Sequence, residues 1–542
     1  MTEPASPDAR DDGRSEARRA AAGMGAATAA SRTVGFVRVL VVAAILGTTY
    51  LGNAYQSSNS VSNVLFELVA AGALSAVLVP TFVELLDRGD VARMERLAGR
   101  LLGIALLLLG VISVVGIIAA PWIADLLTRG VDEPLKASQQ QDLSTLLLRF
   151  FIPQVMLYAI GAVAVAVLYA KRHLTVTAIA PIGYTVITVV TMVVFRIVTG
   201  PDPSVDLSTG EALILAIGGT LGVAAFVGIP FVAAWRSGVR LVPTLGRHDD
   251  DVRRVVRLSG WAVFQHTMIG LLLGAAIVVG NSVKGGTVAY QVAFVFFLAP
   301  YAILAQPVHT AILSDLAREA GEPSAFARSV RWALDNMSML VVPTSALMIA
   351  LAYPTMRVVA FGGAAKGNGA QLLAAGVASL AAGLVVYSAF LLFARAYYSL
   401  GDSRTPALVA LVSGLVGIAV MIGGGRAFHG AATVGMLGVG HSVAYLVGAV
   451  ILGIGLHRRT GAVWPHALVP SILAITPFAV IAWWVGAEVE PQSRVLTALL
   501  VAGLSLFAGA GYLLVLRLLR RQPLPRSGRT RTLEPTDPAL EP

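Results

Sequence analysis

Apolar and polar residues alternate along this chain in long blocks rather than in short periods. Fourteen apolar segments, each near bilayer-spanning length, cover 33–49, 55–86, 98–126, 143–169, 174–199, 211–235, 255–283, 287–314, 327–352, 369–399, 405–424, 432–456, 464–486 and 495–519. A helix needs about 20 such residues to cross the hydrocarbon core. Backbone amides in lipid are satisfied only within helices or closed barrels, and segments this long are not barrel strands. The pattern predicts an all-α polytopic membrane protein of about 14 transmembrane helices. The flanking stretches 1–30 and 521–542 are polar or Pro-rich and are expected to be disordered tails. The first lacks a compact apolar core with a cleavage site, so no signal peptide is expected.

Two connections resemble each other. Leu168-Tyr169-Ala170-Lys171-Arg172-His173-Leu174-Thr175 follows the fourth span, and Tyr397-Tyr398-Ser399-Leu400-Gly401-Asp402-Ser403-Arg404-Thr405 follows the tenth. Each is a Tyr-ended helix, a short basic turn and a Thr-containing helix start. An even offset of six spans preserves orientation, which predicts two parallel six-helix lobes over 31–236 and 252–457, with a terminal pair over 463–520.

Composition and charge refine this picture. Hydrophobic residues make up 56% of the chain and charged residues 13%, about half the soluble norm of roughly 25%. The net charge of +10 comes from Arg and Lys collected in every second gap between spans. Thirty of the 40 basic residues fall on one side, and nine, among them Arg149 and Lys366, on or near the other. This bias places both termini in the cytoplasm. Charges spread over alternate loops answer to topology and anionic headgroups, so no nucleic-acid role is expected. The chain has no cysteine.

Polar residues inside the spans are the candidate chemistry. Arg32 opens the first span at headgroup depth, where it can snorkel. Arg38 lies six residues deeper, roughly 9 Å at helical rise, and is costly there unless it meets water or an anion. The second span is unusually polar, with Asn53, Gln56, Ser57, Asn59, Ser60, Asn63 and Glu67. Asn59, Asn63 and Glu67 share one helical face. Such a face serves either interhelical hydrogen bonding or a wet cavity wall, and the density of polar groups favours the wall. Glu67 is expected to pair with Arg38. Arg149 and Arg395 are further candidates, and Gln265, His266, His309, Asp335 and His441 weaker ones. A lone intramembrane His is more often a packing residue than a relay, and Asp335 lies one turn from Arg331. No P-loop, catalytic constellation or metal-ligand spacing is present. Neither a cofactor nor an enzyme activity is expected.

Ser31-Arg32-Thr33-Val34-Gly35-Phe36-Val37-Arg38 resembles the first-helix signature of the MurJ/MviN family of lipid II flippases. Gly72-Ala73-Leu74-Ser75-Ala76-Val77-Leu78-Val79-Pro80-Thr81-Phe82 resembles that family's second-helix end, and Tyr397–Pro406 its loop after the tenth helix. The resemblance covers about residues 25–520. It implies the multidrug/oligosaccharidyl-lipid/polysaccharide exporter fold: two lobes around a central cavity, and a final helix pair that grooves a polyprenyl tail. It also implies flipping of undecaprenyl-linked disaccharide-pentapeptide across the bacterial plasma membrane by alternating access. The lipid-linked precursor and membrane lipids are then the partners, with other cell-wall synthesis or division proteins left open. The family's paired first-helix arginines carry over to Arg32 and Arg38. This chain departs from the family with Asn53 where many members have Asp, Phe66-Glu67 where many have arginines, and Val295 for an eighth-helix Arg. Arg149 or Arg395 could compensate. Two alternatives stay open: another exporter of the superfamily, a polysaccharide-lipid flippase or drug antiporter, and a non-transporting scaffold of the cell-wall machinery. An antiporter should carry acidic coupling residues in a more apolar cavity, which the paired arginines oppose.

The topology is testable without removing native thiols. A single cysteine at Ser237 should stay unlabelled by an impermeant reagent added from outside; labelling there would invert the assignment.

Overall fold

A computed structural model describes residues 30–66, 78–245, 250–489, 491 and 493–520. The tails, Glu67 and most of the Gly72–Phe82 motif lie outside them. All regular structure among the described residues is helical. The chain runs α1 (30–46), α2 (Tyr50–Phe66), α3 (Val79–Asp87), α4 (Val91–Thr128), α5 (Pro134–Phe151), α6 (Gln154–Ala170), α7 (Leu174–Thr199), α8 (Thr209–Arg236) and α9 (Asp250–Gly280). It continues through α10 (Gly286–Pro300), α11 (Gln306–Arg318), α12 (Pro323–Ala350), α13 (Ala352–Val359), α14 (Gly369–Ala382), α15 (Leu384–Ser399), α16 (Arg404–Ala427), α17 (Ala431–Thr460), α18 (Leu468–Glu488) and α19 (Arg494–Arg520). Among the described residues ten helices are long and apolar enough to cross a membrane, or eleven if α14 and α15, bent by 46°, count as one span. The apolar segments at 33–49, 55–86 and 255–283 fall outside that number. The long helix from Gly286 to Gly321 carries a π turn at Tyr301–Ala305. It directly follows Pro300, whose ring cannot donate to the helical ladder.

Helices α2–α8 pack on one another, and so do α9–α17. The two groups meet where α2 touches α9 and α10 and where α4 touches α9. Helix α1 belongs to both. Val39 and Ala43, one turn apart, enter the core of the second group, while Val42 and Leu46 enter that of the first. The final pair is tied on by hydrogen bonds. Asp335 does not pair with Arg331; its carboxylate accepts the Ala467 N–H at 2.7 Å and so satisfies an amide at the start of α18. The Tyr512 hydroxyl on α19 bonds the Met339 carbonyl at 2.8 Å and Ser471 Oγ at 3.2 Å.

The two similar turns share a backbone geometry. Arg172 N–H bonds Tyr169 O and His173 N–H bonds Leu168 O; Gly401 N–H bonds Tyr398 O and Asp402 N–H bonds Tyr397 O. Both are Schellman closures with the central residue left-handed, φ +62° at Arg172 and +76° at Gly401. Each turn also reaches the last helix of its own group. Lys171 Nζ donates to the Ser237 carbonyl at 2.6 Å, and Asp402 pairs with Arg459 at 2.8 Å. Arg459 in turn stacks 5.0 Å over the Tyr397 ring.

Partial burial works against ionisation of Asp402. The Thr405 amide and hydroxyl and the Arg459 guanidinium outweigh it and hold the carboxyl below the usual carboxylate range. The unfolded-chain value is near ~3.9. A depressed folded value means the contribution is full above the unfolded pKa and is lost as pH falls through the folded one. Asp402→Asn keeps an acceptor for Thr405 but loses the charge that pairs with Arg459, so it should lower stability by roughly 0.5–1 kcal/mol from pH 7 down to pH 5. The gap from wild type should close below about pH 4, as read by thermal unfolding in detergent.

Candidate functional site

The first half of α2 is a hydrogen-bonded seam between the two helix groups. Asn53, Ser57 and Ser60 recur at helical spacing, so they present one face. Asn53 is fully buried; its Nδ2 donates to the Val283 carbonyl at 2.8 Å and its Oδ1 accepts the Thr287 N–H at 3.1 Å. Ser57 exchanges hydrogen bonds with Asn281, 3.0 Å to Oδ1 and 2.8 Å from Nδ2. Gln140 from α5 and the Thr287 hydroxyl converge on the same Asn281 oxygen at 3.3 and 3.0 Å. Gln291 Nε2 donates to Ser60 Oγ at 2.6 Å. The chain between α9 and α10 can approach this closely because Gly285 is left-handed; a Cβ there would lie 2.3 Å from the Thr48 carbonyl carbon. Nearby, Gly362 and Gly363 lie against Ala44 and Gly47. Lys366 pairs with Asp202 across the two groups and holds that carboxyl below its usual range. Both partners are well exposed, so this pair adds little.

Away from the seam the side chains change character. Arg38 is half-buried, its guanidinium 4.6 Å above the Tyr184 ring of α7. It also acts electrostatically on Tyr55 and Tyr158. Asn63 accepts a hydrogen bond from the Tyr158 hydroxyl at 3.1 Å. Arg32 is exposed and donates to Gln306 Oε1 at 3.3 Å, a bond from α1 to the first residue of α11. Arg395, half-buried on α15, shares Tyr301 with Arg32 as an electrostatic neighbour and also acts electrostatically on His309. Among the described residues no carboxylate pairs with Arg32, Arg38 or Arg395. Guanidinium groups left without a counter-charge in a spanning region can take up anionic oxygens by charge-assisted bonds.

The residues expected from the sequence thus fall into separate places. Arg32 and Arg38 stand on one helix, with Asn63 in the tyrosine cluster beside Arg38. Arg395 and Arg32 both act electrostatically on Tyr301. Asn53 and the buried Asn59 lie on α2, and both polar functions of the Asn53 amide are spent on the seam. Arg149 is exposed on the last turn of α5. Leu147 and Phe151 on either side of it pack in the core that contains Tyr55, so Arg149 points away from the Arg38 cluster. Tyr55, Tyr158 and Tyr184 are not among the residues the sequence points to, nor are Asn281, Gln140 and Gln291. The available signals were tyrosines in mid-span and an Asn set between Gly280 and the Gly285-Gly286 pair.

An amide at position 53 both donates and accepts, which a carboxylate cannot do. At neutral pH Asn53→Asp should place a charge against the Val283 carbonyl and cost about 1–3 kcal/mol. Asn53→Ala should cost less. A cysteine at Ser60 should react faster with a thiol reagent in Asn53→Asp than in the otherwise unchanged chain; equal rates would show that Asn53 does not hold the seam.

Known proteins resemble the chain over most of its length. A family profile described as lipid II flippase MurJ matches residues 42–502. A probable lipid II flippase MurJ of Rhizobium tropici is 25% identical over 453 residues, covering 82% of each chain. One of Vibrio cholerae is 25% identical over 528 residues, covering 91% of this chain and 94% of the relative. Among solved structures, a lipid II flippase MurJ in an inward closed conformation superposes with a TM-score of 0.73 at 17% identity, covering 92% of this chain and 98% of that one. An inward-facing multidrug resistance MATE family transporter of the MOP superfamily gives 0.62 at 14% identity, covering 80% and 95%. The folds agree, and the sequence profile runs from α1 into α19: the chain belongs to the lipid II flippase MurJ family.

Proposed function

We propose that this protein flips lipid II from the inner to the outer leaflet by alternating access, with Arg32 and Arg38 receiving the diphosphate. The observation that carries this reading is the pair of α1 arginines, which have no carboxylate partner among the described residues and stand away from the polar seam. A diphosphate offers the anionic oxygens that the planar guanidinium fork binds best.

The charge bias of the loops supports cytoplasmic termini, and with them a plasma-membrane protein whose seam faces outward. In that orientation the described state is closed outside, and the arginines are approached from the cytoplasmic side. Binding a diphosphate at Arg32 competes with its Gln306 bond, one of the links from α1 to the second helix group. Arg38 keeps its place over Tyr184 and gives the anion a fixed second contact. The sugar-peptide head then crosses between the groups while the polyprenyl tail stays in lipid along α18 and α19. Their exposed Leu473, Leu499 and Leu506 suit such contact. An inside-negative potential favours outward movement of the anion, by about 2.3 kcal/mol per charge per 100 mV. Arg395 is the third candidate contact, entering from the second group. The drug-antiporter alternative shares the fold but requires acidic coupling groups, and the described arginine cluster contains none.

Arg38→Ala should leave the protein folded and inserted while lowering flipping by about ten- to a hundredfold, the loss expected for one charged hydrogen-bond partner. Arg38→Lys should recover part of the rate, since it restores charge without the fork. Flipping by reconstituted protein reads both. Depletion of the protein in cells should accumulate lipid II in the inner leaflet; unchanged leaflet distribution would exclude the transport reading.

A further inference from the structure

A cavity lies apart from the arginines of α1. It runs between α7 and α8 at the end where α6 turns into α7, and has a volume of about 780 Å³. Its wall is apolar, with Val176, Ala225, Ile229 and Val232, while its end carries His173 and Arg236. Gly228 helps keep it open, for a Cβ there would meet nothing within 4 Å. Exposed Tyr169 and Trp235 stand at the same end, as aromatic residues do where hydrocarbon gives way to headgroups. The apolar part of the cavity therefore lies at acyl-chain depth and the cationic part at phosphate depth.

Two features suggest an anion at that end. First, Lys171 binds the Ser237 carbonyl and so holds the turn bearing Arg172 and His173 beside Arg236. Among the described residues Arg172, His173 and Arg236 have no ion-pair partner. The first amides of α7 also lack a side-chain cap, and His173 is the residue before them, an arrangement that favours a phosphate. Second, Arg172 is the non-glycine residue with positive φ among those described. Its counterpart in the other turn is Gly401, with the same hydrogen bonds and no strain. A left-handed non-glycine costs on the order of 1 kcal/mol, and such strain is retained where the side chain has a use.

The geometry points to a binding site for an anionic glycerophospholipid, with an acyl chain in the α7–α8 groove and the phosphate between Arg172, Arg236 and the start of α7. The partner is chosen by charge: a zwitterionic headgroup gains little from unpaired cations, whereas each basic residue near an anionic surface contributes about fivefold in affinity.

Thermal unfolding of the purified full-length chain in neutral detergent tests this, because a ligand that binds only the folded state raises its melting temperature. Added phosphatidylglycerol should raise it more than phosphatidylcholine, and salt should shrink the difference. Arg172→Gly should match or exceed the lipid-free stability of wild type, since it relaxes the turn, yet bind phosphatidylglycerol about fivefold more weakly. A purely structural Arg172 would give the first result without the second. Gly228→Leu should leave the lipid-free protein intact and remove the stabilisation by filling the groove. Equal shifts from the two lipids would overturn the site, as would undiminished phosphatidylglycerol binding in Arg172→Gly and Gly228→Leu. A shift from inorganic phosphate alone equal to that from phosphatidylglycerol would overturn the lipid assignment.

Discussion

A polar group without a partner is expensive in hydrocarbon, and this constraint organises the molecule. Buried amides and hydroxyls cost roughly 1–3 kcal/mol each when left unbonded. The polar face of α2 therefore has to meet water or other polar groups. Its first half meets Asn281 and Val283 of the turn before α10 and Thr287 and Gln291 of α10, and Gln140 of α5 joins through Asn281. The two helix groups are joined there because that is where both place otherwise unsatisfied donors and acceptors.

Helix α1 supplies the apolar counterpart of this joint. Its two stripes, Val39 with Ala43 and Val42 with Leu46, are committed to different cores. A relative movement of the groups must slide at least one stripe. The same helix carries Arg32 and Arg38, so a ligand that holds those arginines acts on an element shared by both groups. That is the physical link between anion binding and rearrangement: the ligand must interact differently with the two arrangements, or it shifts nothing.

Much of this was legible in the sequence, because lipid imposes a long apolar run on every span and positive charge on alternate loops. The repeat could be read from the Tyr397–Arg404 turn because both copies need the same left-handed residue, even though one is Gly401 and the other Arg172. The seam was not legible. Asn53 and Asn281 are far apart in sequence, and an amide in an apolar span looks the same whether it faces water or another amide. The sequence places Asn59, Asn63 and Glu67 on one face, expected to be a wet wall. In the structure the face of Asn53, Ser57 and Ser60 is a buried joint, and Asn63 joins the tyrosine cluster near Arg38. The tyrosines are not legible for a related reason: a mid-span Tyr has enough apolar surface to pass for core.

The choice of neutral groups in the seam has its own logic. A joint that closes a transporter must also open, so the groups it exposes have to tolerate parting. Separating a buried ion pair leaves an uncompensated charge, at a cost of about 3–5 kcal/mol. Separating Ser57 from Asn281 leaves a hydroxyl and an amide, which water satisfies once the joint is wet, and each such bond is worth only about 1 kcal/mol net. The charged pair across the same end, Lys366 with Asp202, is exposed and can break with little loss. Asn53 follows the same rule. An amide satisfies the Val283 carbonyl and the Thr287 N–H together, without a charge to strand when they part. Charge stands instead at Arg32, Arg38 and Arg395, which have no carboxylate partner among the described residues; in the proposed reading an anionic ligand supplies it.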